Sequence, residues 1–215
     1  MSKLKVAVLI SGRGSNLQAL IDAAADPAYP AEIVSVVSNV PGVMGLERAG
    51  KAGLATATIN HRDFAGREPF EAALTDHLRA VGAELVCLAG FMRLLTDGFV
   101  SAWHDRLLNI HPSLLPAFKG LDVQQRAIDA GVRFSGCTVH YVRPAMDSGP
   151  IIVQAAVPIL AADTADTLAA RILEQEHRIY PLAVRLFAEG RLTIVDERVV
   201  VADARPSGDA LVNPA

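Results

Sequence analysis

Asn109 and His111 stand two residues apart in RLLNIHPSLLP, at the end of an apolar run. Side chains alternate with period two along an extended chain, so both point to the same side. A carboxamide beside an imidazole can offer two hydrogen-bond donors to a developing oxyanion. An isolated histidine would more simply be satisfied by a nearby carbonyl. The asparagine next to it and the proline-stiffened loop after it favour chemistry instead. A third group lies in RPAMDSGPI, where Asp147 sits beside Ser148 and Gly149 in what would otherwise be an ordinary turn. Held near His111, its carboxylate would raise the imidazole pKa and make an acid available at neutral pH.

A second kind of chemistry is suggested by SGRGSNLQAL, residues 11–20, directly after the apolar run LKVAVLI. A strand, a glycine turn and a helix start present backbone N–H groups and a favourable dipole end to an anion. Gly12 and Gly14 allow close backbone approach, and Ser15 or Asn16 can cap the helix and donate to an oxygen. The dinucleotide fingerprint is incomplete, because Ser-Asn-Leu follows GRG with no third glycine. The next strand pattern ends in Ser38 and Asn39, where a ribose-binding acid would be needed. A phosphate other than that of NAD is the better expectation. Further on, Glu176 interrupts the apolar stripe of LAARILEQEHRIYPL, and a buried carboxylate needs a partner, either another side chain or a ligand. His61, His77, His104 and His177 have no partner pattern. No HExxH, CxxC or EF-hand series appears, so no metal is expected, and no GxSxG elbow supports a serine hydrolase.

The elements that must carry these groups read as a single α/β domain over residues 1–203. Strand patterns fall at 4–10, 32–38, 55–59, 84–89 and 106–110, with helix patterns between them at 16–25, 42–52, 67–81 and 96–103. Runs apolar throughout, such as VAVLI, suit a parallel sheet covered on both faces. A helix is expected near 122–130, then two β runs, GCTVHYVRP and PIIVQAAVPI, as a mixed or antiparallel part. A long helix should span 163–189, capped by Asp163, stopped by Gly190 and kinked or interrupted near residue 180 by Pro181. RLTIVDERVVVA reads as a small hairpin, and 204–215 as a disordered tail. With 215 residues, 51% apolar, and a net charge of −3, the chain has a core-forming composition and no basic field for nucleic acid. Cys87 and Cys137 lie in apolar runs and read as buried, reduced thiols of a cytoplasmic protein. No apolar run approaches the roughly 20 residues of a membrane span.

Taken together and in order, VAVLISGRGSNLQALIDA, GLERA, LAGFMRLL, LLNIHPSLLP, GCTVHYV, MDSGPIIVQAAVP and QEHRIYPL closely resemble the phosphoribosylglycinamide formyltransferases of purine biosynthesis. The resemblance covers about residues 4–195. It implies a single-domain Rossmann-like formyltransferase fold. It also implies transfer of a formyl group from 10-formyltetrahydrofolate, as co-substrate, to the amine of glycinamide ribonucleotide. Carried over, Asn109, His111 and Asp147 are the catalytic trio. Gly14, Ser15, Asn16 and Glu176 hold the ribonucleotide. Arg67, Met92, Arg93, Leu94, Leu95, Arg143, Pro144, Ala145 and Met146, with Asn109 and Asp147, form the folate site. The implied partners are small molecules, with a homodimer left open. One departure falls in KGLDVQQ, where the family usually has a PGLH-like stretch. Lys119, Asp122 and Gln124 there bear on substrate affinity or loop order, and Lys119 is expected to be solvated. Formyltetrahydrofolate hydrolases would carry an added N-terminal domain, and methionyl-tRNA formyltransferases a C-terminal β domain with a basic surface. A folate- or nucleotide-binding module without catalysis is the alternative from another class, against which the trio speaks.

Overall fold

The computed structural model describes residues 2–204, 208 and 211–213. Among the described residues, nine strands form in chain order: β1 (Leu4–Ile10), β2 (Ala31–Ser38), β3 (Thr56–Thr58), β4 (Leu85–Leu88), β5 (Leu107–His111), β6 (Phe134–Tyr141), β7 (Ile151–Pro158), β8 (Leu192–Val195) and β9 (Arg198–Val201). The helices are α1 (Ser15–Ala24), α2 (Met44–Lys51), α3 (Arg67–Ala80), α4 (Asp97–Ala102), α5 (Val123–Asp129) and α6 (Ala165–Ala188). A short 3-10 turn covers His61–Asp63.

The first seven strands form one sheet in the order β3-β2-β1-β4-β5-β6-β7. Pairing is parallel from β3 to β5 and antiparallel for β5–β6 and β6–β7. Because β1 is apolar on both sides, it can serve a sheet covered on both faces. Val6, Val8 and Ile10 pack with Leu17 of α1 and Ile172 and Tyr180 of α6. Ala7 and Leu9 pack on the opposite face with Phe70, Leu74 and Leu78 of α3 and with Trp103. The strand order reverses between β1 and β4, and open α/β sheets place ligands in the crevice at such a switch point. β8 and β9 make a separate hairpin, turning at Asp196 and Glu197, whose φ values of 47° and 56° suit a type I′ turn.

Two expectations for the long helix need correction. Its cap is Thr164, which shares a reciprocal pair of bonds with Thr167, while Asp163 binds Arg171 and the Leu160 N–H. Pro181 does not interrupt the helix. Proline removes one N–H and so leaves only the His177 carbonyl without its helical partner. Ile179, Tyr180, Ala183 and Val184 are buried on both sides of it, and the Pro181 carbonyl accepts the Tyr29 hydroxyl at 2.7 Å. Packing on either side outweighs one missing bond.

Cys87 and Cys137 are both free and buried, and burial pushes each thiol pKa up to about 12. Among the described residues, no helix is long and apolar enough to cross a membrane. Of the expected tail, residues 205–207, 209, 210, 214 and 215 lie outside the described residues. Asn213 reaches back to donate to the carbonyls of Arg133 and Ile159, at 2.7 and 3.1 Å.

Candidate active site

Antiparallel pairing of β5 with β6 sets Asn109 opposite His140 and His111 opposite Thr138. His140 Nδ1 lies 2.8 Å from its neighbour's carbonyl, that of Tyr141. A carbonyl can only accept, so Nδ1 carries the proton and Nε2 is left as an acceptor. Burial pushes the His140 pKa down and keeps the ring neutral. Its Nε2 therefore takes one N–H of the Asn109 carboxamide, at 3.3 Å, which orients the amide and leaves the second N–H free. His140 lies in the β run GCTVHYVRP, to which the sequence pattern assigns no chemical role. The signal that would have found it is its register opposite Asn109, which a single strand pattern does not contain.

His111 is 6% exposed. Its Nε2 donates to the Phe118 carbonyl at 3.0 Å, and its Nδ1 faces Asp147 Oδ2 at 3.6 Å. Asp147 adopts φ 49° and its Oδ2 also accepts the Gly120 N–H at 2.9 Å. The turn that carries it packs hard against β6. A Cβ on Gly149 would lie 1.8 Å from the Tyr141 oxygen, so only glycine lets the chain approach so closely. Thr138 secures the loop after His111, donating to the Ser113 carbonyl and accepting the Leu115 N–H. The three residues of the expected trio thus meet: two on one strand, and the third held beside them by backbone contacts.

At the end of β1, Gly14 (φ 70°) occupies the cap position of α1, and no described side chain caps that helix. Ser15 and Asn16 lie inside its first turn rather than at the cap, the position expected for one of them. An uncapped helix start offers its N–H groups to an anion. The close packing that a third glycine would supply comes from elsewhere. Gly45 of α2 donates to the Gly12 carbonyl at 3.0 Å, and a Cβ on Gly14 would stand 2.8 Å from the Gly45 Cα. Arg48 also donates to the Arg13 carbonyl at 2.9 Å. Within that first turn of α1, Asn16 Nδ2 donates to Glu176 Oε2 at 2.7 Å, with both residues buried. Burial pushes the Glu176 carboxyl pKa up, and the Asn16 bond opposes the shift. Asn16 Oδ1 is buried without a partner. A carboxylate and an orphaned amide oxygen side by side form a paired acceptor that suits an amine or hydroxyl donor.

A cavity of about 640 Å³ opens between the start of α3 and the segments 94–98 and 144–146. Of the residues expected at a folate, Arg67, Leu94, Leu95, Pro144 and Met146 line it together. Glu68, Thr96, Asp97 and Gly98 complete the lining, so the Arg67 guanidinium stands among two carboxylates and an apolar wall. Met92 is 70% exposed and is not part of the lining, nor are Arg93 and Ala145. The Arg143 guanidinium is committed to Asp105 at 2.8 Å and Glu197 at 2.7 Å. In the departing loop, Lys119 is half-buried rather than solvated, and its carbonyl accepts Arg126 at 2.6 Å. Asp122 heads α5 at φ 54°.

Sheet order, an anion-ready helix start and an Asn–His–Asp cluster at strand ends define a doubly wound α/β enzyme built for group transfer. The chain belongs to the formyl transferase family, whose description matches residues 4–184. It is 57% identical over 195 residues to the trifunctional purine biosynthetic protein adenosine-3 of Drosophila pseudoobscura pseudoobscura, a match covering 90% of this chain and 14% of that protein. The chain thus spans only a small part of that relative. It is 46% identical over 189 residues to the phosphoribosylglycinamide formyltransferase of Escherichia coli K12, covering 88% of this chain and 89% of that one. Glycinamide ribonucleotide transformylase 1 from Symbiobacterium toebii superposes with a TM-score of 0.91 at 49% identity, covering 94% of this chain and 95% of that one.

Proposed function

We propose that this chain transfers the formyl group of 10-formyltetrahydrofolate to the amine of glycinamide ribonucleotide. The observation that carries the proposal is the cluster of Asn109, His111 and Asp147 at the end of β5. An amine that adds to a formyl carbon puts negative charge on the former carbonyl oxygen and leaves a surplus proton on its own nitrogen. The free Asn109 N–H donates to that oxygen. Protonated at Nδ1, His111 donates to it as well, with the Asp147 carboxylate balancing the ring's charge. The oxyanion then reforms the carbonyl as the bond between the formyl carbon and the folate nitrogen breaks, and Asp147, through a water, moves the amine proton to that departing nitrogen.

The folate carrier supplies an activated formyl group when bound. Arg67, Leu94, Leu95, Pro144 and Met146, which line the cavity, hold it beside Asn109 and Asp147. Gly14, Ser15 and the α1 start hold the ribonucleotide phosphate. The paired acceptors of Asn16 and Glu176 suit the donors of the glycinamide portion. We place the reaction in the cytoplasm, with small molecules as partners.

The test is to mix the protein with 10-formyltetrahydrofolate and follow release of tetrahydrofolate with and without glycinamide ribonucleotide. Release only with both substrates is expected. Release without the ribonucleotide would make the protein a hydrolase, and no release in either case a binding module. An oxyanion donor is typically worth ~3–4 kcal/mol, so His111→Ala should lower kcat roughly 100- to 1,000-fold. Binding of both substrates should survive the change within a few-fold.

A further inference from the structure

Ser11 follows β1 directly and precedes the glycine loop. Its hydroxyl donates to Asn39 Oδ1 at 2.6 Å and accepts the Met92 N–H at 2.8 Å. The three residues belong to three separate segments, those that follow β1, β2 and β4. Since β1 and β4 are the neighbours between which the strand order reverses, the Ser11–Met92 bond crosses the crevice at the switch point. Asn39 is 2% exposed, and its backbone carbonyl accepts His61 Nδ1–H at 2.9 Å, so the main chain that carries the Ser11 acceptor is held in place.

Residues 91–96 form neither helix nor strand. Their far end is tied by Glu71, a buried carboxylate that accepts the Thr96 N–H at 2.9 Å as well as the Thr96 hydroxyl. Between these two anchors, Met92 and Leu94 stand 70% and 66% exposed. The segment that brings Leu94 and Leu95 to the cavity is therefore held at its ends by side chains from other elements. Only a group that donates and accepts at one atom can make both of the Ser11 bonds.

Building on the formyl-transfer reading above, we infer that Ser11 is a positioning residue for the folate side of the site. Its hydroxyl sets the start of the 92–95 segment and ties it to the loop that holds the ribonucleotide. It acts through Met92 and not on the reacting atoms. Removing it leaves the Met92 N–H and Asn39 Oδ1 unpaired at once.

The test compares the wild-type chain with Ser11→Ala, Ser11→Thr and Asn39→Ala. Tetrahydrofolate affinity is read by calorimetry, and the KM of each substrate by turnover. Ser11→Ala should raise the tetrahydrofolate Kd and the formyl-donor KM about five- to tenfold, the loss of one to two ordinary hydrogen bonds. The ribonucleotide KM should stay within about twofold, and Ser11→Thr should restore folate binding. Asn39→Ala should raise the same constants about threefold, with the double variant no worse than Ser11→Ala alone. Should Ser11→Ala fail to fold, the Asn39→Ala arm decides alone. An unchanged folate Kd, or equal rises in both KM values, would overturn the inference. A wild-type chain that binds no tetrahydrofolate would overturn the formyl-transfer reading instead.

Discussion

Replacing Glu176 by glutamine separates a ligand contact from a structural pair. The carboxylate is 6% exposed and receives one hydrogen bond, from Asn16 at 2.7 Å. Burial raises its folded pKa above the ordinary carboxylate value, so the folded chain holds that proton more tightly than the unfolded one. The stability it contributes is therefore full below the ordinary carboxylate range and declines as pH rises through the raised pKa. Glutamine has the same shape and no charge to lose, so the variant should melt higher than wild type near pH 8. The gap should shrink as pH falls toward 4. If Glu176 receives a donor from the substrate, activity should move the other way. A hydrogen bond to a charged group is worth ~1.5–3 kcal/mol, so kcat/KM for the ribonucleotide should fall about 10- to 150-fold. Melting curves across that pH range and steady-state kinetics at varied ribonucleotide check both halves. A variant that melts lower at every pH, with kcat/KM within about twofold of wild type, would make Glu176 a structural partner of Asn16 and refute the reasoning.

Gly45→Ala should disturb the glycine loop before α1 without touching Asn109, His111 or Asp147. Its Cβ would meet Ile10 Cδ1 at 2.5 Å and the Gly12 oxygen at 3.0 Å. Overpacking of this kind costs about 1–3 kcal/mol, and calorimetry should show Tm lower by roughly 2–12 °C. The ribonucleotide KM should rise while the folate Kd holds. Asp163→Asn should lower Tm at pH 7, because two Arg171 bonds at 2.7 and 2.8 Å hold that carboxyl pKa well below the usual range. A depressed carboxyl pKa contributes stability above its unfolded value and loses it as pH falls. The difference between variant and wild type should therefore fade on titration below about pH 4.

Much of the scaffold was legible along the chain because its signals are local. Apolar runs on both sides of β1, strand–helix alternation, and the period-two placement of Asn109 and His111 all follow from backbone geometry within a few residues. The glycine junction before α1 and the turn at Asp196–Glu197 are likewise set by φ values that few residue types accept. The interruption expected as one outcome at Pro181 is missing for the complementary reason. A local rule counts one lost N–H, whereas the sheet beneath α6 holds the residues on both sides of it. The Arg143 guanidinium answers to Asp105 and Glu197, which lie 38 and 54 residues away.

The amino-acid sequence by itself determined which groups are available and which of them share a strand face. The tertiary structure decided what each group touches. It set His140 against Asn109 and Asp147 against His111. It also brought Gly45 under the glycine loop before α1 and Ser11 across to Met92. Those pairings depend on the order in which crossovers return strands to the sheet, and on β5 and β6 running antiparallel in one register. No periodicity within a single segment carries that information.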